Sequence, residues 1–240
     1  MEKKNFPVVI LCGGKGTRMG PESIPKPMFK IGEKPILWHI MKYYEGFGFN
    51  DFILLLGYKK EKIIRYFSGH KRWNIRFVDT GLNTNTGGRI KRAEKLIKGE
   101  SFFVTYGDGL SDVNPKSLLK FHLRSKKAVT LTCVRPYSTF GILDIDPRTQ
   151  GVSDFKEKPV LEHWVNGGFF VFNRRAFRFI KRNDILEQES FSRIIKAREL
   201  AAYRHRGFWE CMDTYKDNLR LNQLWDSGRA PWAIWRRKCR

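Results

Sequence analysis

The chain has 240 residues, 41 % of them hydrophobic, with a net charge of +22 and a pI near 10.1. That length suits one α/β domain or at most two small ones, and no apolar run approaches the roughly 18–20 residues that cross a bilayer. The charge raises a nucleic-acid-binding reading. It is spread evenly, however: Lys plus Arg number 15, 14 and 17 over successive thirds of the chain. There is no zinc-finger spacing, basic zipper or RNA-recognition motif, so neither nucleic acid nor membrane is expected as a partner. The basic start, Met1 to Phe6, is followed by an apolar run of only about six residues, too short for a secretory signal. Cys12, Cys133, Cys211 and Cys239 form no C-x-x-C pair and read as the reduced thiols of a cytoplasmic protein.

In chain order, residues 7–12 read as a buried parallel strand ended by glycine. Residues 35–44 read as a helix with Pro35 in its first turn. A strand over 51–56, a helix over 61–67, a strand over 75–79 and a basic helix over 88–97 follow. Residues 101–106 form a fourth strand ended by Gly107-Asp108-Gly109, then come a helix over 115–125 and a strand over 129–135. This alternation predicts an α/β, doubly wound, mostly parallel (mixed) sheet flanked by helices. Beyond it, strands are expected over 141–146, 152–157, 168–173 and 200–205, with helices over 174–182, 191–197 and 214–225. No linker or repeat divides the chain. A single domain over 1–240 is expected, with halves meeting near residue 135.

In such sheets ligands lie beyond the carboxyl ends of the strands, so the loops over 13–26, 79–88, 107–112 and 136–141 matter most. The first has four glycines in eight residues: Gly13, Gly14, Gly16 and Gly20. It is not a P-loop, because Thr17-Arg18 follows Gly16. It is an incomplete dinucleotide fingerprint, because Met19 stands where the third glycine belongs. Glycines let backbone N–H groups approach a phosphate, and Arg18 and Lys26 add a forked and a compact cation. Pro25 and Pro27 stiffen the backbone around Lys26. Asp108, between two glycines at a strand end, can reach a Mg²⁺ ion. Asp213, read from its surroundings, suits a cap for the helix near Thr214. Asp112 reads as a cap for the helix at Pro115. Lys156-Glu157-Lys158 reads as solvated charge, and His39 and His122 as structural.

"GGKGTR…PKPM" followed by "IGEKPILWHIM" resembles the sugar-phosphate nucleotidyltransferases, in particular the glucose-1-phosphate cytidylyltransferases. "VDTGLNTNTGGRIKR", "YGDGLSDV", "FGILDI", "FKEKP", "WVNGGFFVFN" and "GFWECMDT…LWDSGRAPW" follow in the family's order, so the resemblance covers nearly the whole chain. It implies a Rossmann-like nucleotidyltransferase fold that joins CTP and a sugar 1-phosphate, most simply α-D-glucose 1-phosphate, into CDP-glucose and pyrophosphate. UTP or dTTP, or another phosphorylated acceptor, is the alternative within the same chemistry; a basic binding or regulatory module is the alternative outside it. The resemblance assigns Arg18 and Lys26 to catalysis and Asp108 and Asp213 to Mg²⁺. It assigns Leu11, Gly13, Gly14, Gly16, Thr17, Thr80, Gly81, Thr86 and Gly87 to the nucleotide. Gly109, Gly141, Glu157, Lys158, Asn166 and Gly167 go to the sugar phosphate. Arg89 and Arg92 are either phosphate contacts or a solvated helix face. A homo-oligomer is expected. The Arg18–Lys26 spacing is two residues shorter than the family's usual one, and the segment over 67–79 lacks a longer insertion.

Overall fold

The structure is a computed structural model, and it describes residues 6–14 and 24–236. Chain order gives β1 (Val8–Cys12), short paired strands β2 (Lys30–Ile31) and β3 (Lys34–Pro35), α1 (Ile36–Gly46), β4 (Asp51–Leu56), α2 (Lys60–Phe67), β5 (Asn74–Asp79) and α3 (Thr86–Arg92). Next come β6 (Ser101–Tyr106), β7 (Gly109–Ser111), α4 (Pro115–Ser125), β8 (Val129–Val134), β9 (Ile142–Ile145), β10 (Val152–Lys156) and β11 (Val165–Asn173). The last elements are α5 (Phe191–Lys196), β12 (Leu200–Arg204), β13 (Trp209–Cys211) and α6 (Tyr215–Asp226).

Among the described residues, seven strands form the central sheet in the order β12-β8-β11-β6-β1-β4-β5. β1, β4, β5 and β6 run parallel, as do β8 and β12, whereas β11 is antiparallel to both β6 and β8. The mixed, mostly parallel sheet expected from the alternation is thus present. Period-two alternation assigns the strand residues to opposite faces. Val8, Ile10, Phe52, Leu54, Phe103 and Val171 pack under α1, α2, α4 and α6. Val9, Leu11, Ile53, Leu55, Phe102, Phe170 and Phe172 pack under α3, α5 and the turns around Phe177. Both faces are covered, which is why β1 and β4 read as unbroken apolar runs. Each such fully buried side chain contributes about 1.5–3 kcal/mol.

Several boundaries differ from the sequence reading. The basic helix ends at Arg92 instead of residue 97, and 174–182 closes as a 3₁₀ turn over Arg174–Arg178. The cap of α4 is Asn114, whose carboxamide oxygen accepts from Lys116 N and Ser117 N. Asp112 instead bonds His205 Nε2 at 2.9 Å. Likewise α6 is capped by Thr214 in a capping box with Asp217, which leaves the Asp213 carboxylate for other work.

His39 and His122 are structural, as expected. His39 Nε2 faces the Ile31 carbonyl at 2.9 Å, and Trp232 Nε1 donates to His39 Nδ1 at 3.3 Å. Both acceptors and donors are satisfied by a neutral ring, and burial pushes the His39 pKa down to about 4. Burial and the nearby Arg175 do the same for His122, also to about 4.

Candidate active site

A cavity of about 520 Å³ opens beyond the carboxyl ends of β1 and β6, where ligands of doubly wound sheets bind. Leu11, Cys12, Gly13 and Gly14 line it from the end of β1, Lys26 and Pro27 from the following turn, and Thr84, Asn85, Thr86 and Arg89 from the start of α3. Tyr106, Gly107 and Asp108 close it from β6, with Ile185 and Asp213 opposite.

The chemistry concentrates where three distant segments converge. Lys26 sits in a 3₁₀ turn, Lys26–Met28, with a proline on each side. Asp108 follows β6. Asp213 is delivered by the small β7–β13 pair, in which Cys211 lies opposite Gly109 and Met212 N donates to the Asp108 carbonyl at 2.9 Å. The Lys26 ammonium reaches a carboxylate oxygen of Asp108 and one of Asp213, each at 2.6 Å. Burial works against this charge, but Asp108 and Asp213 outweigh it and hold the Lys26 pKa above the usual lysine range. Asp108, Asp213 and the Cys211 thiol offer ligand atoms all within 4.8 Å of one another. Two carboxylates already clasping one cation fit a divalent ion: Mg²⁺ takes one or two carboxylates and fills the remaining positions with phosphate oxygens and water.

Arg89 is the residue whose role the structure changes most. Its side chain is buried, so the solvated-face reading gives way to a structural one, while the residue also stands on the cavity wall. Nη1 donates to Thr80 Oγ1 (2.5 Å) and to the carbonyls of Gly81 (2.8 Å) and Leu56 (3.1 Å). Nη2 donates to the carbonyls of Gly13 (2.9 Å) and Leu82 (3.2 Å). The guanidinium thereby ties the β1, β4 and β5 loops together. A Cβ on Gly13 would lie 2.1 Å from Arg89 Nη1, so glycine at 13 admits the arginine as well as shaping the loop.

Of the residues assigned by resemblance, Leu11, Gly13, Gly14, Lys26, Thr86, Asp108 and Asp213 line the cavity. Thr80, Gly81 and Gly87 stand behind its wall: Thr80 is fully buried, and Gly87 packs on Asp184. Gly16, Thr17 and Arg18 lie outside the described residues. The sugar-phosphate set is not gathered in the cavity. Gly109 begins β7. Asn166 accepts from Gly168 N at 2.9 Å, and the Gly167 carbonyl accepts from Trp209 Nε1 at 2.7 Å. Glu157 and Lys158 follow the β9–β10 hairpin, exposed and paired with each other at 2.8 Å. The space beside Gly141 is filled by the Phe155 ring and the Glu157 carboxylate. Lys158 has φ = 44°, a left-handed conformation that non-glycine residues adopt uncommonly.

Residue-by-residue reading missed Tyr106, which lines the cavity and donates from its hydroxyl to Glu187. Burial, with Glu187 nearby, pushes the Tyr106 pKa up, so it stays a donor. Glu187 also accepts from Thr86 Oγ1 at 3.0 Å. Cys211 was missed as a neighbour of the metal carboxylates. The signal available was its position two residues before Asp213, where an extended chain returns to the same face.

A nucleotide-sized cavity at the strand ends, a lysine shared by two carboxylates and a mixed Rossmann-like sheet define a nucleotide-handling enzyme of the α/β class. The protein-family description Nucleotidyl transferase matches residues 7–224, and the chain belongs to that family. It is 42 % identical to the probable glucose-1-phosphate cytidylyltransferase of Bacillus subtilis (strain 168), over 95 % of this chain and 99 % of that one. It is 43 % identical to the glucose-1-phosphate cytidylyltransferase of Salmonella typhimurium, over 95 % and 98 %. Among solved structures, HddC from Yersinia pseudotuberculosis complexed with GMP-PN superposes with a TM-score of 0.72 at 25 % identity, covering 92 % of this chain and 99 % of that one. UDP-glucose pyrophosphorylase complexed with UDP-glucose shares the fold, with a TM-score of 0.71 at 18 % identity.

Proposed function

We propose that the protein transfers a cytidylyl group from CTP to α-D-glucose 1-phosphate, giving CDP-glucose and pyrophosphate. The observation that carries the chemistry is the convergence of Lys26, Asp108 and Asp213 at the mouth of a strand-end cavity. The choice of cytosine and glucose is supported by the two bacterial relatives at 42 % and 43 % identity.

The reaction asks for positioning and charge neutralisation, not a strong base. A sugar phosphate oxygen, already anionic, attacks the α-phosphorus, the bond to the β-phosphate oxygen breaks, and pyrophosphate leaves with the electron pair. Lys26, kept protonated by its two carboxylates, holds the α-phosphate and its developing charge. Arg18 steadies the reacting phosphates. Leu11, Gly13, Gly14, Gly16 and Thr17 cradle the nucleotide, with Thr80, Gly81, Thr86 and Gly87 around the base. Asp108 and Asp213 are the residues to hold Mg²⁺, which when bound offsets negative charge on the phosphates. Gly109, Gly141, Glu157, Lys158, Asn166 and Gly167 take the sugar phosphate. We place the nucleotide in the half before about residue 135 and the sugar phosphate in the half after it, within one domain. The enzyme works as a homo-oligomer. No helix among the described residues is long and apolar enough to cross a membrane, which supports a cytoplasmic location.

The test is a matrix of CTP, UTP, dTTP, ATP and GTP against several sugar 1-phosphates with Mg²⁺, scored by pyrophosphate release. CTP with glucose 1-phosphate is expected to give the highest kcat/KM. A higher value for another pair overturns the substrates, and no release from any pair overturns the chemistry.

A further inference from the structure

The start of α3 is locked to the turn that follows Asp184. Leu186–Ser190 form one π turn, a rare geometry that recurs at functional sites. The Asp184 carboxylate pins it, accepting from Lys181 N at 2.8 Å and from Ser190 Oγ at 2.7 Å. Gly88 N donates to the Asp184 carbonyl at 3.1 Å, and Asn85 Nδ2 donates to the Asn183 carbonyl at 3.0 Å. A Cβ on Gly87 would lie 3.0 Å from that Asp184 carbonyl oxygen, so glycine there admits the close approach.

Thr86 stands at this junction, and its hydroxyl has a fixed direction. Its oxygen accepts from Leu186 N at 2.8 Å, and its one hydrogen goes to the Glu187 carboxylate at 3.0 Å. A carboxylate only accepts, so the hydrogen cannot point elsewhere while that bond is made. The other oxygen of Glu187 accepts from the Tyr106 hydroxyl, which steadies the side chain from the β6 side. Thr86 and Tyr106 both line the cavity. Each directs its hydrogen to Glu187 and can offer the cavity only a lone pair. Glu187 itself is exposed at the rim and takes no part in the metal cluster of Asp108, Cys211 and Asp213.

Pyrimidines differ where such a group decides. Cytosine carries a 4-amino donor beside an N3 acceptor. Uracil and thymine carry a 4-keto acceptor beside an N3 donor. A lone pair held toward position 4 attracts the first and repels the second, whereas a hydroxyl free to turn serves both. We propose that Glu187 is a positioning residue for cytosine: by taking the Thr86 hydrogen it leaves the Thr86 oxygen as an acceptor for the 4-amino group of CTP, and so rejects UTP and dTTP. The inference rests on the reading of the protein as a cytidylyltransferase with Thr86 beside the base, and it assigns the pair that sets the choice.

The readout is the ratio of kcat/KM for CTP to that for UTP, at saturating glucose 1-phosphate and Mg²⁺. Glu187→Gln keeps the shape but can turn its amide N–H toward the Thr86 oxygen, which frees the hydroxyl hydrogen for a 4-keto group. The ratio is expected to fall at least about tenfold. Glu187 is exposed, so this substitution leaves the core intact, and the thermal midpoint checks it. Thr86→Ser keeps the hydroxyl and is expected to keep the ratio; Thr86→Val removes it and is expected to lower the ratio as far as Glu187→Gln does. With Thr86→Val already present, adding Glu187→Gln is expected to change the ratio no further. A Glu187→Gln variant that weakens CTP and UTP alike, with the ratio unmoved, makes the residue merely structural and overturns the inference. A Glu187→Gln effect that persists in full beside Thr86→Val puts the carboxylate on the base directly and overturns the positioning role. A wild type with no preference for CTP over UTP overturns the cytidylyltransferase reading itself.

Discussion

The cleft and the β9–β10 hairpin both carry residues assigned to anionic substrates, yet they are built by opposite means. In the cleft, Lys26, Asp108 and Asp213 come from segments 82 and 187 residues apart and are fixed by strand pairing and mutual 2.6 Å contacts. On the hairpin, Glu157 and Lys158 are chain neighbours that pair with each other at 2.8 Å in water. A charge held in a partly desolvated site by preorganised partners acts strongly at the moment of reaction. An exposed pair contributes about 0–1 kcal/mol until a ligand displaces the water around it. The geometry therefore suits the cleft to chemistry, and the role proposed for Glu157 and Lys158 is capture.

The largest effect that would break this contrast is at Asp108. Asp108→Asn keeps the shape and removes the charge, so we expect kcat to fall about 10³-fold while the thermal midpoint and circular dichroism stay near wild type. Metal affinity read by titration calorimetry should fall in parallel. Activity within a few-fold of wild type would move the metal site away from the β7–β13 pair.

A second consequence concerns the body beneath the cleft. His39 and His122 are neutral when folded, with pKa values near 4, against 6.5 in the unfolded chain. Folding therefore excludes a proton that the unfolded state takes up as pH drops. The sign follows: above pH 6.5 neither histidine matters, and between pH 6.5 and 4 each lowers stability, by about 3 kcal/mol at pH 4. Urea unfolding across that window should show the loss. His39→Gln, which keeps a donor for the Ile31 carbonyl and an acceptor for Trp232, should remove its share of the slope. Ile145→Ser on the hairpin should leave the slope unchanged. An acid limb that His39→Gln does not flatten would place the titrating groups elsewhere.

What could be read in advance follows the same division. Strands buried on both faces are short apolar runs with glycine ends, so β1, β4 and β6 were legible within a residue or two. Two-residue and three-residue strands carry no periodicity, so β7 and β13 were not legible, although they are what brings Asp213 to Asp108. Motif order identified both carboxylates; only the paired backbone explains their meeting. Arg89 was ambiguous because a sequence of bases on a helix does not say which one points inward. Its five acceptors come from Gly13, Leu56 and the run Thr80-Gly81-Leu82, three separate stretches of the chain. The hairpin was legible as two strands, but its exposure was not, because apolar alternation looks the same whether a face is covered by the chain itself or left open.

Lys158→Ala gives the smallest effect and the finest discrimination. Lys158 does not line the cavity, so removing it should leave the nucleotide site intact: kcat and the KM for CTP should stay within about twofold. Its ammonium is half exposed and, among the described residues, paired with Glu157, so its contact with a sugar phosphate forms in a largely hydrated setting. We expect the KM for glucose 1-phosphate to rise about tenfold, the 1.4 kcal/mol of one screened charge contact, not the 10³ of a cleft residue. The left-handed backbone at 44° adds a check. Lys158→Gly relieves that conformation and removes the amine, so its KM should match that of Lys158→Ala even if its stability rises. A rise in the CTP KM instead would put the hairpin over the nucleotide and reverse the placement of the two substrates. A thousandfold fall in kcat would make Lys158 a cleft residue in the working enzyme and erase the contrast between the two regions.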